Sequence, residues 1–204
     1  MSIVNSHAYQ NWHEYDCDLD HVKRTWNDEY KLFHWEDMLS INAVPVNDKW
    51  LDITVQSNND YDQLLLSKGI DPNVTQHSMC LHPDLSAGLA EVVDKFSNFQ
   101  HHYNFLKLKP GYTIPWHFDS YATFMRYNNI AAQEFANIRR TVIILEDWSP
   151  GQIIQIGNRV LSHWEAGACY TWKGDTWHGV ANFGFDDFVC MQVTWLPFAG
   201  VDQW

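Results

Sequence analysis

The chain has 204 residues, of which 46% are hydrophobic, and its 25 acidic and 13 basic side chains give a formal net charge of -12. This length and composition fit one folded domain and exclude a disordered chain. The acidic charge argues against a nucleic-acid partner, and since no apolar run approaches the length of a membrane span, we expect no membrane-spanning segment.

The first half of the chain mixes helical and strand patterns. Aromatic and apolar residues recur at helical spacing over residues 20–38, which predicts a helix there. Residues 50–55 alternate between apolar and polar side chains and predict a short strand. A second helix is predicted after a cap at Asp84 or Ser86, with an apolar stripe formed by Leu89, Val92, Val93 and Phe96.

From residue 98 onward the chain has the pattern of short strands separated by glycine and proline turns. The predicted strands are residues 105–109, 141–145, 152–156, 168–172, 177–183 and 188–195. Gly157-Asn158 between two of them is a two-residue hairpin signal. Many short, evenly spaced strands indicate a jelly roll.

We therefore predict a single domain over residues 1–204 that is mainly β with N-terminal helices. Residues 1–97 form a helical or mixed part packed on the core. Residues 98–204 form the core, a double-stranded β-helix of the jelly-roll, cupin-like type.

A His-x-Asp pair follows the strand and turn that end at Pro110-Gly111. In an extended segment, residues two apart point to the same face, so His117 and Asp119 can bind one ion. His178, after a tight turn and at the start of a later strand, is the best candidate for a third ligand. Two histidines and one carboxylate form the facial arrangement that suits non-haem Fe(II) and leaves positions open.

A His-x-Asp pair is weak evidence by itself in a chain with 11 histidines, since it also fits a loop histidine beside a turn-capping aspartate. The strand before the pair and the second histidine on the same predicted sheet favour the metal site. Trp116, Tyr121, Trp172 and Trp177 lie near the ligands and can wall a pocket, although such aromatics also form ordinary core.

Three blocks of the second half carry a family pattern. They are Leu108-Lys109-Pro110-Gly111 leading to His117-Phe118-Asp119, then residues 140–146, then residues 164–182. In these blocks the chain resembles the Fe(II)- and 2-oxoglutarate-dependent oxygenases, particularly their aspartyl/asparaginyl β-hydroxylase-like branch.

By that resemblance His117, Asp119 and His178 are the iron ligands, and Asn182 corresponds to an asparagine that trails the distal histidine. The resemblance implies an Fe(II) cofactor and 2-oxoglutarate as cosubstrate. It also implies O₂-dependent hydroxylation of an amino-acid or peptidyl side chain, with release of succinate and CO₂.

The cosubstrate carries a far carboxylate, which needs a guanidinium or a lysine in a pocket closed to water. Members of the resembled family place an arginine a short distance after the distal histidine, where this chain has Phe188. The branch also uses an arginine at the start of the strand that begins here at Arg140. We therefore predict Arg140, with Arg139 beside it, as the cosubstrate-binding residues.

Two other functions stay open. The same triad can serve a cupin-like metal-dependent dioxygenase that does not use 2-oxoglutarate, which Phe188 favours. Alternatively, the jelly roll is a non-catalytic binding module whose aromatic residues stack on a ligand such as a sugar, and His117 and Asp119 are incidental; a structure with these two residues far from His178 would support that alternative. His77, Cys80 and His82 resemble half a zinc site, but no second half follows them.

The expected partners are O₂ and a small-molecule or peptide substrate, and the sequence leaves the oligomeric state open. The four scattered cysteines form no close pair, and the first residues lack the basic and apolar regions of a signal peptide. Both features predict a cytoplasmic protein with free thiols.

Overall fold

The computed structural model describes residues 31–34, 51–53, 60–75, 77–81, 85 and 87–197. Within these ranges the strands are β1 (Lys31–His34), β2 (Leu51–Ile53), β3 (His77–Leu81), β4 (Gln100–Leu108), β5 (Thr113–His117), β6 (Arg139–Ile144), β7 (Gln152–Ile156), β8 (Arg159–Leu161), β9 (Ala168–Lys173), β10 (His178–Asn182) and β11 (Phe188–Leu196). The helices are α1 (Asp60–Ser67), α2 (Ala87–Asp94) and α3 (Ala122–Tyr127). Single 3-10 turns occupy Pro72–Thr75 and Ala132–Asn137.

The strands form two antiparallel sheets. The larger sheet has the order β1-β9-β6-β11-β4-β3-β2, and the smaller has the order β5-β10-β7-β8. From β4 to β11 the chain passes back and forth between them, with β4, β6, β9 and β11 in the larger sheet and the others in the smaller. This alternation is a double-stranded β-helix, so the predicted fold class is confirmed.

The N-terminal half contributes strands to the larger sheet. β2 and β3 continue it beyond β4, and β1 pairs with β9 at the opposite edge. The helix predicted over residues 20–38 is therefore wrong at Lys31–His34. The aromatic residues that fit a helical period also favour a strand, and pairing with β9 decides the outcome. The rest of that predicted helix lies outside the described residues.

Two layers of core follow from the alternation of side chains along the strands. Between the sheets, apolar side chains from both sheets pack together, including Leu106, Ile144, Ile154 and Phe188. On the outer face of the larger sheet, the predicted stripe of α2 packs against Phe105, Ile143 and Trp195. The helix prediction is thus confirmed, whereas its two candidate caps lie outside the described residues.

Residues 121–138 connect β5 to β6 and form their own small core. Tyr121, Phe124 and Ile138 are buried together in a small third cluster. Arg140 follows two residues later in β6, so this segment reaches the site described below. In the part of the chain that the structure describes, no helix is long and apolar enough to cross a membrane.

Candidate metal centre

Strand pairing in the smaller sheet brings two histidines together. His117 ends β5, His178 begins β10, and the two are register partners of the antiparallel pair. Their ring centroids are 4.4 Å apart. Asp119 lies two residues beyond the end of β5, and its carboxylate lies beside both imidazole rings. Neighbouring strands therefore assemble a group that the sequence holds in two distant segments.

The three predicted ligands converge. The Nε2 atom of His117 lies 3.6 Å from Oδ1 of Asp119, and Nε2 of His178 lies 3.8 Å from Oδ2. A ligand atom from each of the three lies within 4.8 Å of the others, the one such group of His, Cys, Asp and Glu found among the described residues. The separation of these residues that would support the binding-module alternative is not observed.

Backbone carbonyls select the ring tautomer of both histidines. Nδ1 of His117 lies 2.7 Å from the carbonyl oxygen of Pro115, and Nδ1 of His178 lies 3.0 Å from that of Thr176. Because a carbonyl can only accept, each Nδ1 carries a proton, so the neutral form of each ring presents its lone pair on Nε2. Both Nε2 atoms face Asp119, which is the arrangement that metal-binding histidines show when their second nitrogen is fixed.

Arg140 holds the carboxylate of Asp119. Its Nε and Nη2 donate hydrogen bonds of 3.1 and 2.7 Å to Oδ2. Burial by itself raises the pKa of Asp119, but the Arg140 guanidinium, helped by the two histidines, keeps that pKa well below its usual range. The carboxyl group is therefore ionised at neutral pH, which is the state that binds a cation.

The ring of Tyr121 packs on the guanidinium of Arg140. The backbone of Tyr121 is left-handed, with φ 48°, which is uncommon for a residue other than glycine. The ring is buried and lies 5.1 Å from the guanidinium carbon of Arg140. This distance is within the range of a cation–π contact, so Tyr121 helps to fix the direction of Arg140.

Burial also keeps His178 neutral. Desolvation is the main reason that the pKa of His178 falls to about 3, and nearby His117 lowers it further. The ring of Trp172 lies 4.8 Å from that of His178 and covers it. A neutral imidazole is the form that ligates a metal, so no proton has to leave this side chain at neutral pH.

The three residues open onto a cavity of about 200 Å³ between the two sheets. Arg140 is the single Lys or Arg among its described lining residues, and Asp119 is the single carboxylate. The wall is mostly apolar, and it includes Met79, Leu106, Ile114, Val142, Ile154, Tyr170, Trp172, Val180, Phe188 and Cys190.

Several predicted residues lie elsewhere. Arg139 donates hydrogen bonds from Nη1 to the carbonyl oxygens of residues 136, 137 and 138 and does not line the cavity. Trp116 stacks on Trp177, with ring centroids 6.1 Å apart, and neither lines the cavity. Asn182 is fully buried, and its side chain forms hydrogen bonds with the backbone of Leu108, Gly184 and Asp186. These bonds connect the loop after β10 to the end of β4 and do not involve the cavity.

Three polar residues of the cavity wall are not among the residues predicted from the sequence. His77, Asn104 and Gln192 line it from the larger sheet. Asn104 shares the inward face of β4 with Leu106, and a polar residue in that position was a readable signal. His77 was weighed with Cys80 as a zinc ligand, but Cys80 packs in the outer core, whereas His77 faces the cavity. His82 lies outside the described residues.

No protein-family model and no curated protein sequence matches the chain. Solved structures do match. A prolyl-4-hydroxylase from Pseudomonas putida aligns over 72% of this chain and 92% of its own, with 11% identity and a TM-score of 0.45. A predicted oxalate decarboxylase from Thermotoga maritima aligns over 60% and 82%, with 17% identity and a TM-score of 0.37.

A cupin domain from Bordetella pertussis aligns over 48% of this chain and 82% of its own, with 14% identity and a TM-score of 0.33. At these levels the similarities concern the cupin-like fold and carry no information about the reaction. The aspartyl/asparaginyl β-hydroxylase-like branch therefore stays a prediction from the sequence.

Proposed function

We propose that this chain is an Fe(II)-dependent oxygenase. In this proposal the cosubstrate is a 2-oxo acid, either 2-oxoglutarate or a close analogue, and the reaction hydroxylates an amino-acid or peptidyl side chain. The observation that carries the proposal is the convergence of His117, Asp119 and His178 on a small cavity, with both imidazole Nε2 lone pairs facing the carboxylate. Two neutral imidazoles and one carboxylate are the donor set of mononuclear Fe(II) oxygenases.

The proposed reaction is balanced over two substrates. Fe(II), when bound, supplies the activation of O₂. One oxygen atom enters the C–H bond as a hydroxyl group, and the other enters the acid that remains when the 2-oxo acid loses CO₂, which is succinate for 2-oxoglutarate. The four electrons that reduce O₂ come in pairs from the 2-oxo acid and from the C–H bond.

The chain's own residues supply orientation and exclude water. His117, Asp119 and His178 would hold the ion beside the cavity. Arg140 keeps Asp119 ionised and fixes its direction through two hydrogen bonds. Trp172, Ile154 and Val180 make the surroundings apolar, which strengthens each electrostatic contact and protects reactive species from water.

One observation favours a second candidate, a metal-dependent dioxygenase that acts without a 2-oxo acid. Arg140 was predicted to hold the far carboxylate of 2-oxoglutarate, but its guanidinium lies on Asp119, at the metal end of the cavity. Phe188, at the position where the resembled family has an arginine, packs against Trp164 with ring centroids 5.9 Å apart. The described lining thus offers no second cation to a dicarboxylate.

A turnover assay separates the two candidates. The Fe(II)-loaded chain is incubated with O₂, ascorbate and either 2-oxoglutarate or its five-carbon amide 2-oxoglutaramate, and CO₂ released from the 2-oxo acid is measured with and without candidate amino acids and peptides. The proposal predicts slow CO₂ release from at least one of the two compounds even without a primary substrate, and its loss in the His117→Ala, Asp119→Ala double variant. Metal binding without CO₂ release from either compound favours the second candidate instead.

A further inference from the structure

We propose that Asn104, Gln192 and His77 form a neutral subsite that binds the uncharged hydrogen-bonding end of a 2-oxo acid whose other end chelates the metal. This inference rests on the proposed function and names the class of cosubstrate. A 2-oxo acid with a carboxamide-like end fits this wall better than one with a second carboxylate.

The subsite faces the metal ligands across the cavity. His117 and His178 belong to the smaller sheet, whereas the three subsite residues belong to β3, β4 and β11 of the larger sheet. Asn104 and Gln192 are register partners on β4 and β11, so their amides are neighbours on one face. A ligand that chelates the metal and spans the gap between the sheets meets these amides.

One atom of the subsite lacks a hydrogen-bond partner. Oδ1 of Asn104 is buried and has no partner among the described residues, and Asn104 as a whole is only 6% exposed. Buried polar atoms are nearly always paired in folded proteins, so an unpaired amide oxygen on the wall of a cavity points to a ligand.

The charge of the wall excludes a second carboxylate. Arg140 is the single Lys or Arg of the described lining, and it already bonds to Asp119. Burial lowers the pKa of His77, so this imidazole is uncharged at neutral pH. A carboxylate placed here loses its hydration without gaining a cation. A carboxamide of the same shape can donate to Asn104 Oδ1 and carries no charge.

The cavity has room for one such molecule. Its volume is about 200 Å³, and an apolar protein cavity of about 150 Å³ is known to admit benzene. A five-carbon 2-oxo acid is of this size. One ligand of this size can therefore place its chelating end at the metal ligands and its polar end at the subsite.

The test compares three non-reacting ligands with the same chelating end. N-oxalylglycine keeps the shape and both carboxylates of 2-oxoglutarate, N-oxalylglycinamide ends in a carboxamide, and N-ethyloxamate ends in a methyl group. Each is titrated calorimetrically into the Mn²⁺-loaded full chain, since Mn²⁺ does not react with O₂ under these conditions. We expect N-oxalylglycinamide to bind about tenfold more tightly than either other compound.

Variants assign that preference to the subsite. Asn104→Leu and, separately, Gln192→Leu are expected to reduce the preference to less than about threefold, whereas exposed Gln133→Leu leaves it unchanged. Thermal unfolding of each variant checks that it is folded. If one of the two subsite variants does not fold, the other alone still provides the test. A preference for the carboxamide that survives in the folded subsite variants would overturn the assignment.

The remaining outcomes are distinct. Equal or tighter binding of N-oxalylglycine by the wild-type chain overturns the neutral subsite but leaves the proposed function standing. Failure of all three compounds to bind in a metal-dependent way overturns the proposed function and the subsite with it.

Discussion

The pair of Arg140 and Asp119 gives the sharpest stability prediction. Arg140→Met keeps much of the apolar stem but removes both hydrogen bonds to Oδ2, at 3.1 and 2.7 Å, and leaves the carboxylate beside two imidazoles. Removing one partner of a buried ion pair costs about 3–5 kcal/mol. Because the Asp119 side chain is 25% exposed, water compensates part of the loss, so we expect about 3 kcal/mol in the metal-free chain.

A bound divalent cation replaces the missing charge. The destabilisation by Arg140→Met is therefore expected to shrink to about 1 kcal/mol or less when the site is saturated with Mn²⁺. The assay is urea unfolding in EDTA and in excess Mn²⁺, on wild type, Arg140→Met, Asp119→Asn and the double variant. In EDTA the double variant should lose less stability than the sum of the two single variants. An equal cost with and without metal, or strict additivity, refutes the account of this pair.

Three further predictions concern other parts of the site. Asn182→Ala removes three buried hydrogen bonds to the backbone and should lower the free energy of unfolding by about 2–4 kcal/mol while leaving the Mn²⁺ affinity unchanged; urea unfolding and metal titration check both. Arg140→Ala should weaken binding of N-oxalylglycine to the Mn²⁺-loaded chain more than Arg139→Ala, because Arg140 is the single Lys or Arg of the described lining and fixes the ligand Asp119, whereas Arg139 bonds to backbone carbonyls outside the cavity; equal dissociation constants contradict this. Burial raises the pKa of Cys169 and of Cys190 to about 12, so at pH 8 both stay protonated and should react with a disulfide reagent only after unfolding; fast modification of either in the native chain, located by mass spectrometry, contradicts their placement.

Local patterns in the sequence were sufficient for most of the core. Strands β6, β7, β9 and β11 begin or end close to the predicted positions, because side-chain alternation and glycine or proline turns are local signals. For β1 the sequence predicts helix, because Phe33 and the apolar and aromatic residues around the strand also fit a helical period. Only pairing with β9, which is distant in the sequence, identifies it as a strand.

The site was predictable where its geometry is local. His117 and Asp119 are two residues apart at the end of a strand, and the predicted sheet supplied His178. The partner of Arg140 was not predictable, because which buried carboxylate lies nearest depends on how β6 faces the end of β5. The same holds for Asn104 and Gln192, which become neighbours only through the register of β4 and β11.

Iron content tests the proposed ligand triad directly. Full-length chain is loaded anaerobically with Fe(II), freed of excess ion, and assayed for iron beside the His117→Ala, Asp119→Ala double variant and a His163→Ala control, a histidine outside the cavity. The account predicts about one iron per chain in wild type and control and almost none in the double variant, since the triad is the proposed site. Equal iron in the wild type and the double variant contradicts it.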